Sequence, residues 1–190
     1  MKRSELLEKL ERFPVITAVK NEKELGEALQ TESELIFVLF GNLQTLKGFV
    51  KSIQDAGKLA IIHIDLVDGL SPKETAVEFL SKTIGADGII STKFPLLKKA
   101  KALGLITVQR FFLLDSLSLK KIHQQEDYRP IDLVEILPGC MPKIIKKVCD
   151  TVLVPVIAGG LIEEKEDVLL ALKAGAAAVS STNPDVWRLV

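Results

Sequence analysis

Short apolar runs alternate with longer amphipathic stretches along the whole chain. The opening stretch predicts a helix over Ser4–Arg12, with Leu6, Leu7 and Leu10 on one face and Ser4 as its N-cap. The first run, Val15–Val19, is followed by a helical stretch over Glu22–Gln30, and Leu35–Phe40 by one over Leu43–Ala56. Leu59–Asp65 leads into Ser71-Pro72-Lys73-Glu74, which reads as a helix start with Ser71 as cap and Pro72 at the first helical position. Gly88–Ser91 precedes a helix that Gly104 stops. The second half repeats the theme. Ile106–Phe112 precedes Asp115–Gln125, with Asp115 or Ser116 as cap, and Ile131–Leu137 precedes Pro142–Cys149. Val154–Ala158 precedes Glu163–Lys173, and Ala177–Ser180 precedes a short last helix after Asn183-Pro184.

Eight strand candidates are each followed by a helix, the connections are short, and no linker interrupts them. Strict alternation of strand and helix requires a parallel sheet. Eight such units predict closure into a single (β/α)8 barrel of the TIM type over residues 1–190, preceded by a short helix. The rival, an open doubly wound sheet, carries a G-x-G-x-x-G turn after its first strand. None follows Val15–Val19.

Composition narrows the setting. Of the 190 residues 47% are hydrophobic but only 5% aromatic, the aliphatic filling expected of helices packed on a parallel sheet. Two cysteines, Cys140 and Cys149, are too few for a disulfide framework and predict a reducing cytoplasm, with both as inert thiols on or near one helix. Glu5 and Glu8 break any signal-peptide core, and the longest uncharged stretch, Thr151–Ile162, is too short for a bilayer. No zinc-type spacing is present, so no metal is expected.

In such a barrel the chemistry gathers where strands end. Gly159-Gly160 follows the seventh strand and lets backbone approach a ligand without a Cβ in the way. Ser181-Thr182-Asn183-Pro184 follows the eighth and puts hydroxyls and backbone N–H groups at a helix start. Together Gly159, Gly160, Ser181 and Thr182 are the expected phosphate cradle. Tight turns with an ordinary Asn cap are the plain alternative. A second polar group comprises His63, Asp65, Lys93, Arg110 and Glu135. His63 and Asp65 are two apart and so share a strand face. Arg110 and Glu135 lie on neighbouring strands and can pair in the barrel mouth, because either charge buried alone would be costly. The pair is either a structural ion pair or part of a ring that reads ligand hydroxyls. Paired carboxylates for acid–base chemistry are not evident, although Asp65 and Glu135 could face each other across the mouth.

Lys+Arg and Asp+Glu both total 25, so net charge points to no partner. Its distribution is uneven. Residues 91–150 hold eleven bases and six acids, a net of +5. Lys98, Lys99, Lys101, Lys120 and Lys121 fall on adjacent outer helices. They form either solvated faces or a basic flank for an acidic polymer such as RNA.

Several segments together resemble one family. His63-Ile-Asp65-Leu-Val-Asp-Gly-Leu70, Gln109-Arg-Phe-Phe-Leu-Leu-Asp-Ser116, Glu135-Ile-Leu-Pro-Gly139 with Met141-Pro142, and Pro155-Val-Ile-Ala-Gly-Gly-Leu-Ile162 are similar to the glycerol-3-phosphate-responsive antiterminators. The tail from Lys165-Glu-Asp-Val168 through Ala174-Gly-Ala176 to Trp187 fits the same pattern, so the likeness runs from Val15 to Trp187. The resemblance implies a regulator and not an enzyme. Such a protein binds glycerol 3-phosphate, uses no cofactor, and acts on the leader mRNA of glycerol-catabolism genes to prevent early termination. A homo-oligomer is compatible with it. The chain departs from the family pattern at Lys93, where an arginine is expected. Lysine keeps the charge but loses the bidentate fork. The competing expectation is a phosphosugar isomerase or aldolase on the same barrel, with Lys93 as Schiff-base lysine or Asp65 and Glu135 as acid and base. A third is a sensor that keeps the ligand site and acts on a protein.

Overall fold

The computed structural model describes residues 3–125 and 127–189. Met1 and Lys2 of the opening stretch, and Glu126 of the charge count, lie outside them. The strands are β1 (Val15–Val19), β2 (Leu35–Val38), β3 (Leu59–His63), β4 (Gly88–Ser91), β5 (Ile106–Phe112), β6 (Leu133–Leu137), β7 (Val156–Gly159) and β8 (Ala178–Ser181). They pair in sequence order, all parallel, and β8 closes on β1. This is the predicted eight-stranded α/β barrel. The helices are α1 (Arg3–Arg12), α2 (Glu22–Ala28), α3 (Leu46–Asp55), α4 (Glu74–Phe79), α5 (Phe94–Ala102), α6 (Ser116–His123), α7 (Pro142–Cys149), α8 (Lys165–Lys173) and α9 (Pro184–Trp187). No helix among the described residues is long and apolar enough to cross a membrane.

The two-residue strand period divides the apolar side chains into two populations. Ile16, Phe37, Ile61, Val108, Leu133 and Ile157 point into the barrel. Val19, Val38, Ile62, Val134, Val156 and Val179 point outward to the helices. Helix α1 stands apart from this scheme. Its Leu6 and Leu10, each 1% exposed, join the inner population and stopper the N-terminal end of the barrel. Leu7 of the same expected face is half-buried. At that end Arg3 donates to the carbonyls of Ile131 and Asp132, and Lys9 pairs with Glu34. Buried Asp132 accepts hydrogen bonds from the Thr107 amide and hydroxyl and from Lys101 Nζ at 2.6 Å.

Four helix starts differ from the sequence reading: α8 begins at Lys165, behind a capping box formed by Glu164 and Asp167, and not at Glu163, and three others shift for local reasons. Ser4 lies inside α1, which already includes Arg3. Asn42 Oδ1 accepts from the amides of Gln44 and Thr45, a side-chain turn that delays α3 to Leu46. The Lys73 amide donates to Ser71 O, so Ser71-Pro72 form a tight turn and Lys73 occupies the cap position of α4. Asp115 caps α6 as expected, in a reciprocal pair with Ser118. Cys140 is exposed in the loop before α7, and Cys149 is half-buried at its end, where burial pushes the thiol pKa up.

The stopper role of α1 has a direct consequence. Leu10→Ala removes inner-core volume at the barrel floor and should destabilise the fold by about 2–5 kcal/mol in denaturant unfolding. Leu7→Ala, on the half-buried edge of the same helix, should cost distinctly less.

Candidate functional site

A cavity of about 400 Å³ opens at the C-terminal ends of the strands, beside β1, β7 and β8. Its floor is polar. Arg110 Nε donates to Glu135 Oε2 at 2.6 Å, and Ser180 Oγ donates to Glu135 Oε1 at 2.6 Å. All three side chains are buried. Both oxygens of the carboxylate are thus engaged, which offsets the desolvation of the pair. Gly159 makes the arrangement possible. A Cβ at that position would lie 2.5 Å from Ser180 Oγ and 2.6 Å from Glu135 Oε1. Gly159 therefore supports the floor from behind, while Gly160 lines the cavity.

The walls come from two loops. After β7 the chain turns through two left-handed residues, Gly160 at φ 72° and Leu161 at φ 57°. Leucine in that region costs roughly 1–2 kcal/mol, and its side chain is 63% exposed. After β8, Ser181 Oγ donates to Ile162 O at 2.7 Å and accepts from the Asn183 amide at 3.0 Å. Asn183 in turn donates to Glu163 O at 2.9 Å and caps α9. The Ser181 hydroxyl thus ties the two loops together, leaving the loop backbone and Thr182 to face the cavity. Because α9 has only four residues, its dipole is small, and an anion here depends on backbone donors and cations.

One such cation escapes sequence reasoning. Lys20, just past β1, lines the cavity, is exposed, and has no carboxylate partner among the described residues. The available signal was its position: it is the residue after the first strand, in the ring of strand ends that holds every other candidate. Glu163 contributes an opposing charge at the rim.

The remaining candidates lie elsewhere. Strand β3 ends at His63 and a 3₁₀ turn covers Ile64–Leu66, so Asp65 does not continue the strand alternation. Asp65 accepts from Ser91 Oγ at 2.9 Å, the Thr92 amide at 3.2 Å and Lys93 Nζ at 3.0 Å. Burial pushes its carboxyl up, but these hydrogen bonds outweigh burial and hold the pKa below the ordinary carboxylate value. Asp65 and Lys93 therefore satisfy each other on the rim, outside the cavity. His63 is 4% exposed, and its Nδ1 has no hydrogen-bond partner among the described residues. Burial, reinforced by the charge of Arg110 and partly opposed by Asp65, lowers its pKa to about 4.

The outer lysines separate as well. Lys99 pairs with Glu78 at 2.6 Å and Lys101 with Asp132 at 2.6 Å, so the α5 flank carries less free positive charge than its sequence shows. Lys98, Lys120 and Lys121 are exposed without carboxylate partners among the described residues.

The neutral, buried state of His63 predicts a pH effect. Below its ordinary pKa of 6.5 the unfolded chain takes up a proton that the folded state refuses until about pH 4. Stability should therefore fall by about 3 kcal/mol as pH drops across that window, and no further from this group below it. In His63→Leu the difference in unfolding free energy between pH 7 and pH 4 should shrink by most of that amount. An unchanged difference would show that His63 is protonated in the folded state.

Comparison with known proteins follows this geometry. The model of the "Glycerol-3-phosphate responsive antiterminator" family matches residues 15–187. The Escherichia coli (strain K12) protein YgcP, described as uncharacterized, is 46% identical over 184 residues, which span 97% of this chain and 96% of YgcP. The crystal structure of the glycerol uptake operon antiterminator regulatory protein from Listeria monocytogenes superposes with a TM-score of 0.85 at 35% identity, covering 92% of this chain and 95% of that one. A glycerol uptake operon antiterminator-related protein from Thermotoga maritima superposes with a TM-score of 0.79 at 34% identity, covering 91% and 96%.

Proposed function

This chain belongs to the glycerol-3-phosphate responsive antiterminator family, and from that premise we propose that it binds glycerol 3-phosphate in the strand-end cavity and, so loaded, acts on the leader RNA of glycerol-catabolism genes in the cytoplasm. The observation that carries the reading is the cavity itself: two stapled loops around Gly160 and Thr182, Lys20 at the wall with no carboxylate partner among the described residues, and a buried Arg110–Glu135 pair at the floor. The phosphate sits against the backbone of Gly160 and of Ser181 or Thr182, with Lys20 as counter-charge. The glycerol hydroxyls reach the floor, where Ser180 and the polar edges of Arg110 and Glu135 lie. His63, Asp65 and Lys93 act around this site, through the mouth, and not at its wall.

The phosphosugar-enzyme alternative names Lys93 as Schiff-base lysine, or Asp65 and Glu135 as acid and base. Glu135 has both oxygens engaged, and Asp65 and Lys93 Nζ hold each other outside the cavity. These engagements favour the regulator.

Calorimetry tests the ligand. Two or more charge-assisted hydrogen bonds, each about 1.5–3 kcal/mol, should separate glycerol 3-phosphate from glycerol by at least roughly a hundredfold in Kd. Equal affinities, or turnover of a three-carbon phosphosugar, would overturn the reading. Lys20→Ala should weaken glycerol 3-phosphate by about tenfold, the share of one charge-assisted contact, while leaving the melting temperature of the free protein unchanged. Gly160→Val should abolish ligand-induced thermal stabilisation. Its Cβ would crowd Leu137 at 3.2 Å, at a φ of +72° that valine resists.

A further inference from the structure

The outer groove between α7 and α8, about 520 Å³ in volume, is lined by Lys143, Lys146 and Lys147 from α7 and Lys173 from α8, against a single acid, Asp150. We infer that this groove is the surface on which RNA is held, an inference that rests on the antiterminator reading above and assigns it a surface.

Charge is the first argument. All four lysines are exposed. Lys143, Lys147 and Lys173 have no carboxylate partner among the described residues. Lys146 meets Asp150 at 3.4 Å in an exposed i,i+4 contact, the kind that contributes little and yields readily to a phosphate. The spacing of Lys143, Lys146 and Lys147 places them on one stripe of α7. On α5, by contrast, two of the three lysines are occupied: Lys99 by Glu78, and Lys101 by buried Asp132 at the N-terminal end of the barrel. The positive excess of residues 91–150 is therefore most concentrated on α7, where three lysines share one stripe, and Lys120 and Lys121 of neighbouring α6 lie outside the groove.

The groove floor is the second argument. Pro142, Leu170 and Ala174 form it, and Leu170 is 41% exposed. An apolar floor between rows of cations suits unstacked bases over a neutralised backbone, the form in which RNA loops present themselves. The acidic first turn of α8, Glu166 and Asp167, lies outside the groove and repels a phosphate chain from the ligand mouth.

Connectivity is the third. Helix α7 is entered through the loop that starts at Leu137, and α8 through the loop Gly160–Glu163. Leu137, at the end of β6, and the loop Gly160–Glu163 both line the ligand cavity. The Gly139 amide donates to Gly160 O at 2.9 Å, joining them. The groove thus lies between the two helices that follow these cavity-lining segments, so occupancy of the cavity biases the separation of Lys173 from the α7 lysines. Coupling of about 1–3 kcal/mol, or 5- to 150-fold in RNA affinity, is the ordinary range for such a device.

The test uses the full chain and a labelled transcript of the leader preceding the glycerol-catabolism genes of the source genome, followed by fluorescence anisotropy with saturating glycerol 3-phosphate. The triple variant Lys143→Glu, Lys147→Glu, Lys173→Glu should lose at least about tenfold in RNA affinity and flatten the log–log salt slope by about 2. Its calorimetric affinity for glycerol 3-phosphate should stay within a few-fold of the wild type, the loss of RNA coupling aside. The control triple Lys98→Glu, Lys120→Glu, Lys121→Glu should stay within about threefold in RNA affinity, because a solvated flank adds no direct phosphate contact. Should the glutamate triple fail to fold, the glutamine triple at the same sites gives the same readings. Wild-type-like RNA binding by the groove triple overturns the inference. So does an equal loss in the control, or a changed oligomeric state in the groove triple with RNA binding intact, which would make the groove a contact between copies. A wild-type protein that binds glycerol 3-phosphate but no leader RNA overturns the antiterminator reading itself, and the inference with it.

Discussion

The structure depends on one buried ion pair. Arg110 and Glu135 sit on adjacent strands in direct register, with both side chains turned into a barrel whose interior is mostly apolar. Two charges withdrawn from water are tolerable only when their geometry is good and their remaining valences are filled. Ser180 fills one of them from across β7, and it reaches Glu135 only because Gly159 carries no side chain between them. Four strands thereby become interdependent at the mouth. Removing either charge alone would strand its partner, a cost of about 3–5 kcal/mol in comparable cases, so this site and the fold are not separable at β5 and β6.

That constraint divides the barrel along its axis. The lower end is closed by apolar and structural polar groups: Leu6 and Leu10 of α1, Arg3 against the 131–132 carbonyls, and Lys101 on Asp132. The upper end keeps its polar groups partly unspent. Lys20 has no carboxylate partner among the described residues, and Leu161 is held in a left-handed conformation at an exposed position. Local strain and unsatisfied charge cluster at one end, as expected where a ligand supplies the missing interactions. The loops that carry this strain are also tied to each other, Ser181 to Ile162, Asn183 to Glu163 and Gly139 to Gly160, so a ligand that orders one orders all three.

The outer surface follows a different logic. Ion pairs there are decided by which helix lies next to which. Glu78 of α4 and Glu74 reach Lys99, while the outward face of α7 meets no acid from α8 at its own level. The uneven charge along the sequence is therefore redistributed in space by which helix faces which.

The sequence by itself determined the strand count, the parallel order, the closed barrel and the two-faced distribution of apolar residues, because strand periodicity and short connections are local properties that one reading of the chain exposes. It also located Gly160, Ser181 and Thr182 at the cavity and paired Arg110 with Glu135, since strand ends and neighbouring strands follow directly from the topology. Only the tertiary structure decided the rest. It set Gly159 behind the floor, placed Lys20 at the wall, closed Asp65 and Lys93 on each other, and left His63 buried with an open nitrogen. It paired Lys99 and Lys101 with acids while giving Lys143, Lys147 and Lys173 no carboxylate partner among the described residues. Each of these outcomes rests on hydrogen bonds or charge contacts set by packing between elements, most of them between residues twenty or more positions apart. A pairing at that range depends on ångström-scale distances that no period along the chain encodes.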